Sequence, residues 1–281
     1  MDGETRSQRS QRSIRSQGEY PADGPRYIQT LTDTETVYES PIDINISKTK
    51  EIQVPPLTWH HLDLPPKKMK VTNSGYTLIL SAKWHQERPY ISGGPLLGNY
   101  VFSQLHFHWG KNDGEGSEHT IDGVRYPIEM HVVFFKANYL TQESALKEKD
   151  GIVVLVYMFK LQGGKNEAFQ VLIDHVMEVQ KPHTSRKLNP LPLSYFVKKF
   201  EQDYLLYWGS VTTTVCLHYI LWLISREPMG VAAEQVDELR SMLDANEELL
   251  QGNFREVQSG RTQVFHANPS GSKYATLLAL P

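Results

Sequence analysis

Apolar residues gather in short runs along the chain, separated by turn residues. Tyr76–Trp84, Tyr100–Trp109, Met130–Lys136, Ile152–Lys160 and Val215–Ile224 are rich in Val, Ile, Leu and aromatics. Pro55-Pro56, Pro65-Pro66, Ser92-Gly93-Gly94-Pro95 and Gly163-Gly164 punctuate the sequence around them. β-Branched and aromatic side chains fit a pleated, half-buried surface, so these runs predict strands of one sheet. Several are apolar at nearly every position, as expected of strands covered on both faces. Helical spacing shows in two places. Within Asn166–Gln180, Phe169, Leu172, Ile173 and Val176 recur every three to four residues behind Asn166, which is suited to cap a helix. A second amphipathic run covers Ala232–Leu250. The expected architecture is mixed and β-dominated, one large sheet with short peripheral helices.

The first 26 residues follow another pattern. Arg6, Arg9, Arg12 and Arg15 alternate with Ser and Gln, and Ile14 is the one large aliphatic residue before Tyr20. Such a segment buries too little to offset its ordering entropy, so residues 1–26 read as a disordered basic tail. It is either a solvated extension or a site for phosphorylation or an anionic partner, whose identity the residues do not give. No linker divides residues 27–281, which are expected to form a single domain.

Composition removes several functions. The 281 residues carry 29 Lys+Arg against 32 Asp+Glu, a net charge of −3, which does not favour nucleic acid as the main partner. The one cysteine, Cys216, excludes an internal disulfide framework and a Cys-rich zinc module. The longest apolar run, Val211–Ile224, includes Thr212–Thr214 and His218 and falls short of the ~20 residues of a membrane span. No apolar stretch follows the basic start, so a cytoplasmic protein is expected.

Histidine is left as the chemistry-bearing residue. In Gln104-Leu105-His106-Phe107-His108-Trp109, strand alternation puts Gln104, His106 and His108 on one face and Leu105, Phe107 and Trp109 on the other. Glu129-Met130-His131 offers a third imidazole from a neighbouring strand. Three neutral imidazoles suit tetrahedral Zn²⁺ with one open position, and they leave its double charge uncancelled, so a bound water is strongly acidified. Gln104 and Glu129 are able to accept hydrogen bonds from ligand imidazoles and fix their tautomers. Spacing alone leaves two alternatives standing: half-buried structural histidines, and a cupin-type or amidohydrolase-type metal site.

The motifs together resemble the alpha-class carbonic anhydrases. They are Ser40-Pro41-Ile42-Asp43-Ile44, Gln104 to Gly110, Gly116-Ser117-Glu118-His119-Thr120-Ile121-Asp122-Gly123, Glu129-Met130-His131, Gly209-Ser210-Val211-Thr212-Thr213, Trp222, Glu227-Pro228 and Asn253-Phe254-Arg255. They run in family order over roughly residues 38–268. The resemblance implies a twisted, mostly antiparallel sheet, a conical cavity with zinc at its base, and reversible hydration of CO₂ to bicarbonate and a proton. It matches His106, His108 and His131 to the zinc ligands. It matches Gln104, Glu129 and the carbonyl of Asn253 to the groups behind them. Thr212 matches the residue that orients the zinc-bound hydroxide, passing its own proton to a buried Glu118. Val133, Val154, Val211 and Trp222 match the apolar wall where CO₂ rests, and Thr213 is a further substrate-binding candidate. Sulfonamide or anion inhibitors are expected at the zinc. His119 is expected to be structural.

Departures from the family pattern are equally specific. The family's rapid members carry a proton-shuttling histidine in an Asn-x-Gly-His context, where this chain has Asn73-Ser74-Gly75-Tyr76. Tyrosine, at about 10, is a poor relay near neutrality, whereas histidine at about 6.5 suits the task. Ile79 stands where a polar residue often holds cavity water, Thr214-Val215 replace two prolines, and no Trp-Gly-Tyr motif is found. Cys216 sits at a position exported relatives bridge, without a partner. His60 and His61 are the other candidates for a proton path. The expectation is a zinc carbonic anhydrase with slow proton export. Its competitor is a catalytically weak binding or scaffolding relative, which would typically lack one of the three histidines.

Overall fold

The computed structural model describes residues 38–85, 87–212, 217–259 and 262–269, with the backbone alone for Thr212 and Leu217. The basic tail, Thr213 to Cys216 and residues 270–281 lie outside the described residues. Fifteen strands are present among those described: β1 Asp43–Ile44, β2 Lys50–Ile52, β3 Leu57–His60, β4 Lys68–Asn73, β5 Leu78–Lys83, β6 Tyr90–Gly93, β7 Tyr100–Trp109, β8 Thr120–Ile121, β9 Ile128–Lys136, β10 Ile152–Leu161, β11 Ser185–Leu188, β12 Tyr204–Thr212, β13 Leu217–Ser225, β14 Met229–Val231 and β15 Phe265–Ala267. The helices are short: α1 Gln142–Ala145, α2 Glu167–Ile173 and α3 Ala233–Leu239, with single 3₁₀ turns between strands.

Thirteen of the strands make one sheet in the order β11-β4-β5-β7-β9-β10-β13-β12-β15-β2, with β14 on β10 and β3-β6 attached to β7. Most neighbours are antiparallel; β10–β13, β10–β14 and β15–β2 are parallel. The central strands β9 and β10 are buried at almost every residue, in line with their unbroken apolar sequence. Two apolar clusters lie against the sheet. One gathers Leu105, Phe107, Trp109, Phe134, Tyr157 and the helix residues Phe169, Leu172, Val236 and Leu239. The other gathers Val133, Val154, Val156, Tyr207, Trp222 and Ile224 with the N-terminal Ile42 and Ile44.

The second helical run is shorter than its periodicity suggests. Helix α3 stops at Leu239, and a turn follows in which Asp244 Oδ1 accepts from the N–H groups of Asn246 and Glu248. Side-chain competition of that kind withdraws backbone donors from a helix. Helix α2 starts where the cap predicts, with Asn166 Oδ1 accepting the Phe169 N–H at 3.0 Å, and ends at Ile173. Val176, the remaining apolar position, is buried just ahead of a 3₁₀ turn, Met177–Val179.

Candidate metal centre

Strand β7 carries a bulge between Phe102 and Gln104, where its register against β9 shifts. The extra residue resets the alternation, so Tyr100, Phe102, Leu105, Phe107 and Trp109 all face the core despite the break in period two. The same reset leaves Gln104, His106 and His108 on the opposite, half-buried face. Strand β9 completes the site by register: His131 lies opposite His106, Glu129 opposite His108 and Val133 opposite Gln104.

The ligand atoms of His106, His108 and His131 lie within 4.8 Å of one another. Each ring is also held from behind. His106 Nδ1 is 3.0 Å from Gln104 Oε1, His108 Nδ1 is 3.1 Å from the Asn253 carbonyl, and His131 Nε2 is 2.5 Å from Glu129 Oε1. All three partners are acceptors, so each outer nitrogen carries the proton and each inner nitrogen a lone pair. The inner pair His108 Nε2 and His131 Nδ1 stand 3.2 Å apart. Two lone pairs gain nothing from facing each other. A tetrahedral zinc with bonds of 2.0–2.1 Å separates its ligands by about 3.3 Å, so the residues fit that metal. Burial, followed by the neighbouring imidazoles, holds His106 well below the usual histidine range and also lowers His131, favouring neutral rings. Burial raises the Glu129 carboxyl, but His119 and His131 outweigh it and keep it ionised.

Glu118 is 1% exposed, unlike the solvated carboxylate its Gly-rich loop suggests. Arg255 holds it: Nε reaches Oε1 and Nη2 reaches Oε2, each at 2.8 Å, and the Arg255 N–H approaches Oε1 at 3.2 Å. Burial would raise this carboxyl, yet His108 and Arg255 bring it down to about 2. Arg255 therefore has a role in the site that reading the motif did not assign. Its one local signal is its place two residues after Asn253.

The apolar positions line up across three strands. Val133 pairs with Val154, and Val154 with Trp222, and all three are buried. Trp222 packs edge-on to His131 at 5.0 Å. Val211, partly buried, joins the same cluster. Thr212 ends β12 opposite Leu217; its side chain and the whole of Thr213 lie outside the described residues.

Tyr76 is 70% exposed in the turn between β4 and β5. It connects to the centre through its backbone, because its carbonyl accepts from Asn253 Nδ2 at 2.9 Å. Ile79 is half-buried directly opposite His106. His60 stacks on Tyr90 at 4.2 Å, and His61 Nε2 lies 3.0 Å from Glu87. Tyr90 pairs with Val101, five residues and about 17 Å along β7 from His106. Neither histidine reaches the triad.

Residues 27–268 match the model of the eukaryotic-type carbonic anhydrases. The chain belongs to that family. Carbonic anhydrase 3 of Mus musculus is 35% identical over 240 residues, covering 82% of this chain and 89% of its own length. Carbonic anhydrase 4 of Rattus norvegicus is 34% identical, with 86% of this chain and 78% of its own covered. Carbonic anhydrase 6 of Bos taurus is 30% identical, with 82% and 72% covered. This carbonic anhydrase is a CO₂-hydrating enzyme whose cofactor is zinc, and His106, His108 and His131 form a group able to hold it. Among the described residues no helix is long and apolar enough to cross a membrane.

Proposed function

We propose that this enzyme interconverts CO₂ and bicarbonate at the triad, with chemistry intact and proton export slow. The observation carrying this reading is the convergence of three imidazole lone pairs whose outer nitrogens are already committed to acceptors. Zinc bound there would supply hydroxide near neutral pH by acidifying a water. Every further role belongs to the chain. Gln104, Glu129 and Asn253 fix ligand tautomers. A carboxylate has about four acceptor positions, and Arg255 occupies three on Glu118, leaving one for a hydroxyl, which the family resemblance assigns to Thr212. That pairing would orient the attacking oxygen. Val133, Val154, Val211 and Trp222 receive CO₂, which needs dispersion contact rather than hydrogen-bond donors; the family resemblance assigns Thr213 to the same substrate.

Slow export rests on Tyr76 and Ile79. A phenol does not shuttle protons near pH 7 as an imidazole does, and Ile79 offers no hydrogen bond to water beside His106. The single cysteine favours a reducing, cytoplasmic setting. Stopped-flow CO₂ hydration tests the whole reading. Imidazole buffer should raise turnover several-fold, and a sulfonamide should abolish it. Full turnover in dilute buffer with no imidazole effect would refute slow export; no sulfonamide-sensitive hydration would refute the assignment of the site.

A further inference from the structure

We propose that the lysine-bearing sheet face built by β11, β4 and β5 is a docking surface for an anionic lipid bilayer. Strand register carries the inference. Lys68 on β4 lies directly opposite Lys83 on β5, and Lys70 on β4 lies directly opposite Lys187 on β11. Residues two apart on a strand share a face, so Lys68 and Lys70 bring the two pairs together, and all four lysines are exposed. Lys67 is exposed immediately before β4, with its N–H on the Lys83 carbonyl at 2.7 Å. Like charges directly opposite each other destabilise a sheet. Among the described residues the lysines in ion pairs are Lys136, Lys198 and Lys199, so no carboxylate neutralises these five.

The sequence keeps acid out of the segments that build this face. Residues 64–85 and 179–197 contain seven Lys and Arg and no Asp or Glu, in a chain whose net charge is −3. Arg186, the one arginine among them, lies opposite the core residue Val71 and pairs with Glu178, so it belongs to the other face. Protection of a sheet edge accounts for Lys187, because β11 ends the sheet. It does not account for Lys68 and Lys83, which face each other across an inner ladder. A Glu at either position would turn repulsion into attraction without repacking, so local stability does not explain the pair.

The four strand lysines span about 10 Å across the strands and about 7 Å along them, comparable with the Debye length, so they act as one field. An ammonium on a flexible stem is a point charge without the fixed fork of a guanidinium, which suits a diffuse anionic surface better than one shaped carboxylate. An apolar element adjoins the charges. Leu64 is 44% exposed, and its carbonyl accepts the indole N–H of half-buried Trp84, the neighbour of Lys83, at 2.9 Å. Lysine beside an amphipathic indole and an aliphatic chain is the chemistry of a membrane–water interface. This is also the face of the sheet that carries the metal centre, since Ile79 lies opposite both Thr72 on β4 and His106 on β7. A bilayer docked there would lie on the triad's side of the sheet.

Cosedimentation of the full-length protein with vesicles tests the proposal. The vesicles are phosphatidylcholine alone, or phosphatidylcholine with about 30% phosphatidylserine. The protein should bind the second kind and not the first, and high salt should release it. Neutralising a lysine by Lys68→Gln, Lys70→Gln or Lys83→Gln should weaken binding about fivefold each, and the double variant of Lys68 and Lys70 about twentyfold. Lys70→Glu should bind still more weakly while its melting temperature rises by about 1–3 °C, because Lys187 then faces an opposite charge. Should that variant fail to fold, the Gln variants alone decide. The Arg-rich tail is present in every protein compared, so binding that it alone causes would be equal in all of them. Equal binding by wild type and the double Gln variant would overturn the proposal, as would no binding to phosphatidylserine vesicles. Capture by polyglutamate without any vesicle binding would also overturn it, assigning the face to an acidic protein instead.

Discussion

Asn253 illustrates how one side chain can hold a centre it does not touch. Its carbonyl accepts from His108, while its amide donates to the carbonyls of Tyr76 and Phe107 and its Oδ1 accepts the Trp109 N–H at 2.7 Å. Asn253→Ala keeps the carbonyl but strands the Trp109 donor. Urea unfolding should show a loss of about 2–3 kcal/mol, from the unmade bonds and the buried N–H. A loss below about 0.5 kcal/mol would mean that water replaces the amide. Tyr76→His addresses the exposed turn next to it. Since nothing around Tyr76 needs to repack, the variant should fold normally and raise turnover in dilute buffer about fivefold or more, while its response to imidazole falls. Unchanged turnover would place the rate limit elsewhere. Much of this scale is legible along the chain, because Gln104, Glu129 and the histidines lie two residues apart on strands. The support that escapes such reading is Arg255, whose partner Glu118 lies 137 residues away in sequence, so no local spacing announces it.

At the scale of elements, apolar runs locate strands well because the central ones are covered on both faces. Tyr100–Trp109 coincides with β7, and Ile152–Lys160 falls one residue short of β10. The bulge after Phe102 is not legible, since it comes from pairing with β9 and not from any residue in β7. The helix ending at Leu239 is likewise hidden, because the Leu243 N–H goes to the distant Gln180 carbonyl and Asp244 takes the Asn246 and Glu248 donors. The connection from β9 to β10 depends on a different carboxylate. Asp150 pairs with Lys136 and accepts from Tyr139 Oη at 2.7 Å, while its carbonyl takes the Tyr100 hydroxyl at 2.7 Å. Burial raises its carboxyl, but Lys136 and Tyr139 prevail and lower it below its ordinary 3.8. A depressed carboxyl stabilises the fold above its unfolded value and loses that contribution as pH falls through the folded one. Asp150→Asn should therefore cost about 1 kcal/mol at pH 7 and progressively less below about pH 4. Denaturant midpoints of both proteins across pH 3–7 measure this. A gap that stays constant with pH would assign the cost to geometry and not to charge.

The whole molecule separates its stability from its metal. The triad's strands are anchored by two apolar clusters on the two faces of the sheet, and neither cluster needs the imidazoles to close. The centre is thus assembled by the sheet, unlike small metal domains in which binding free energy is the folding free energy. Zinc still favours the folded state by mass action, because the unfolded chain does not gather the three rings. At free zinc one hundred to one thousand times the dissociation constant, this amounts to about 3–4 kcal/mol. For a domain of this size that corresponds to about 5–15 °C in melting temperature. Calorimetry of the protein before and after dialysis against a chelator should show a drop of that order, with far-ultraviolet circular dichroism at 25 °C unchanged. Readdition of zinc should restore the higher melting temperature. Collapse of the sheet signal on chelation would show the opposite dependence, with the metal organising β7 against β9. The bulge in β7 argues against that outcome, because it lies ahead of the imidazoles in the pairing with β9, where Tyr100, Phe102 and Leu105 on the far face are buried in the core.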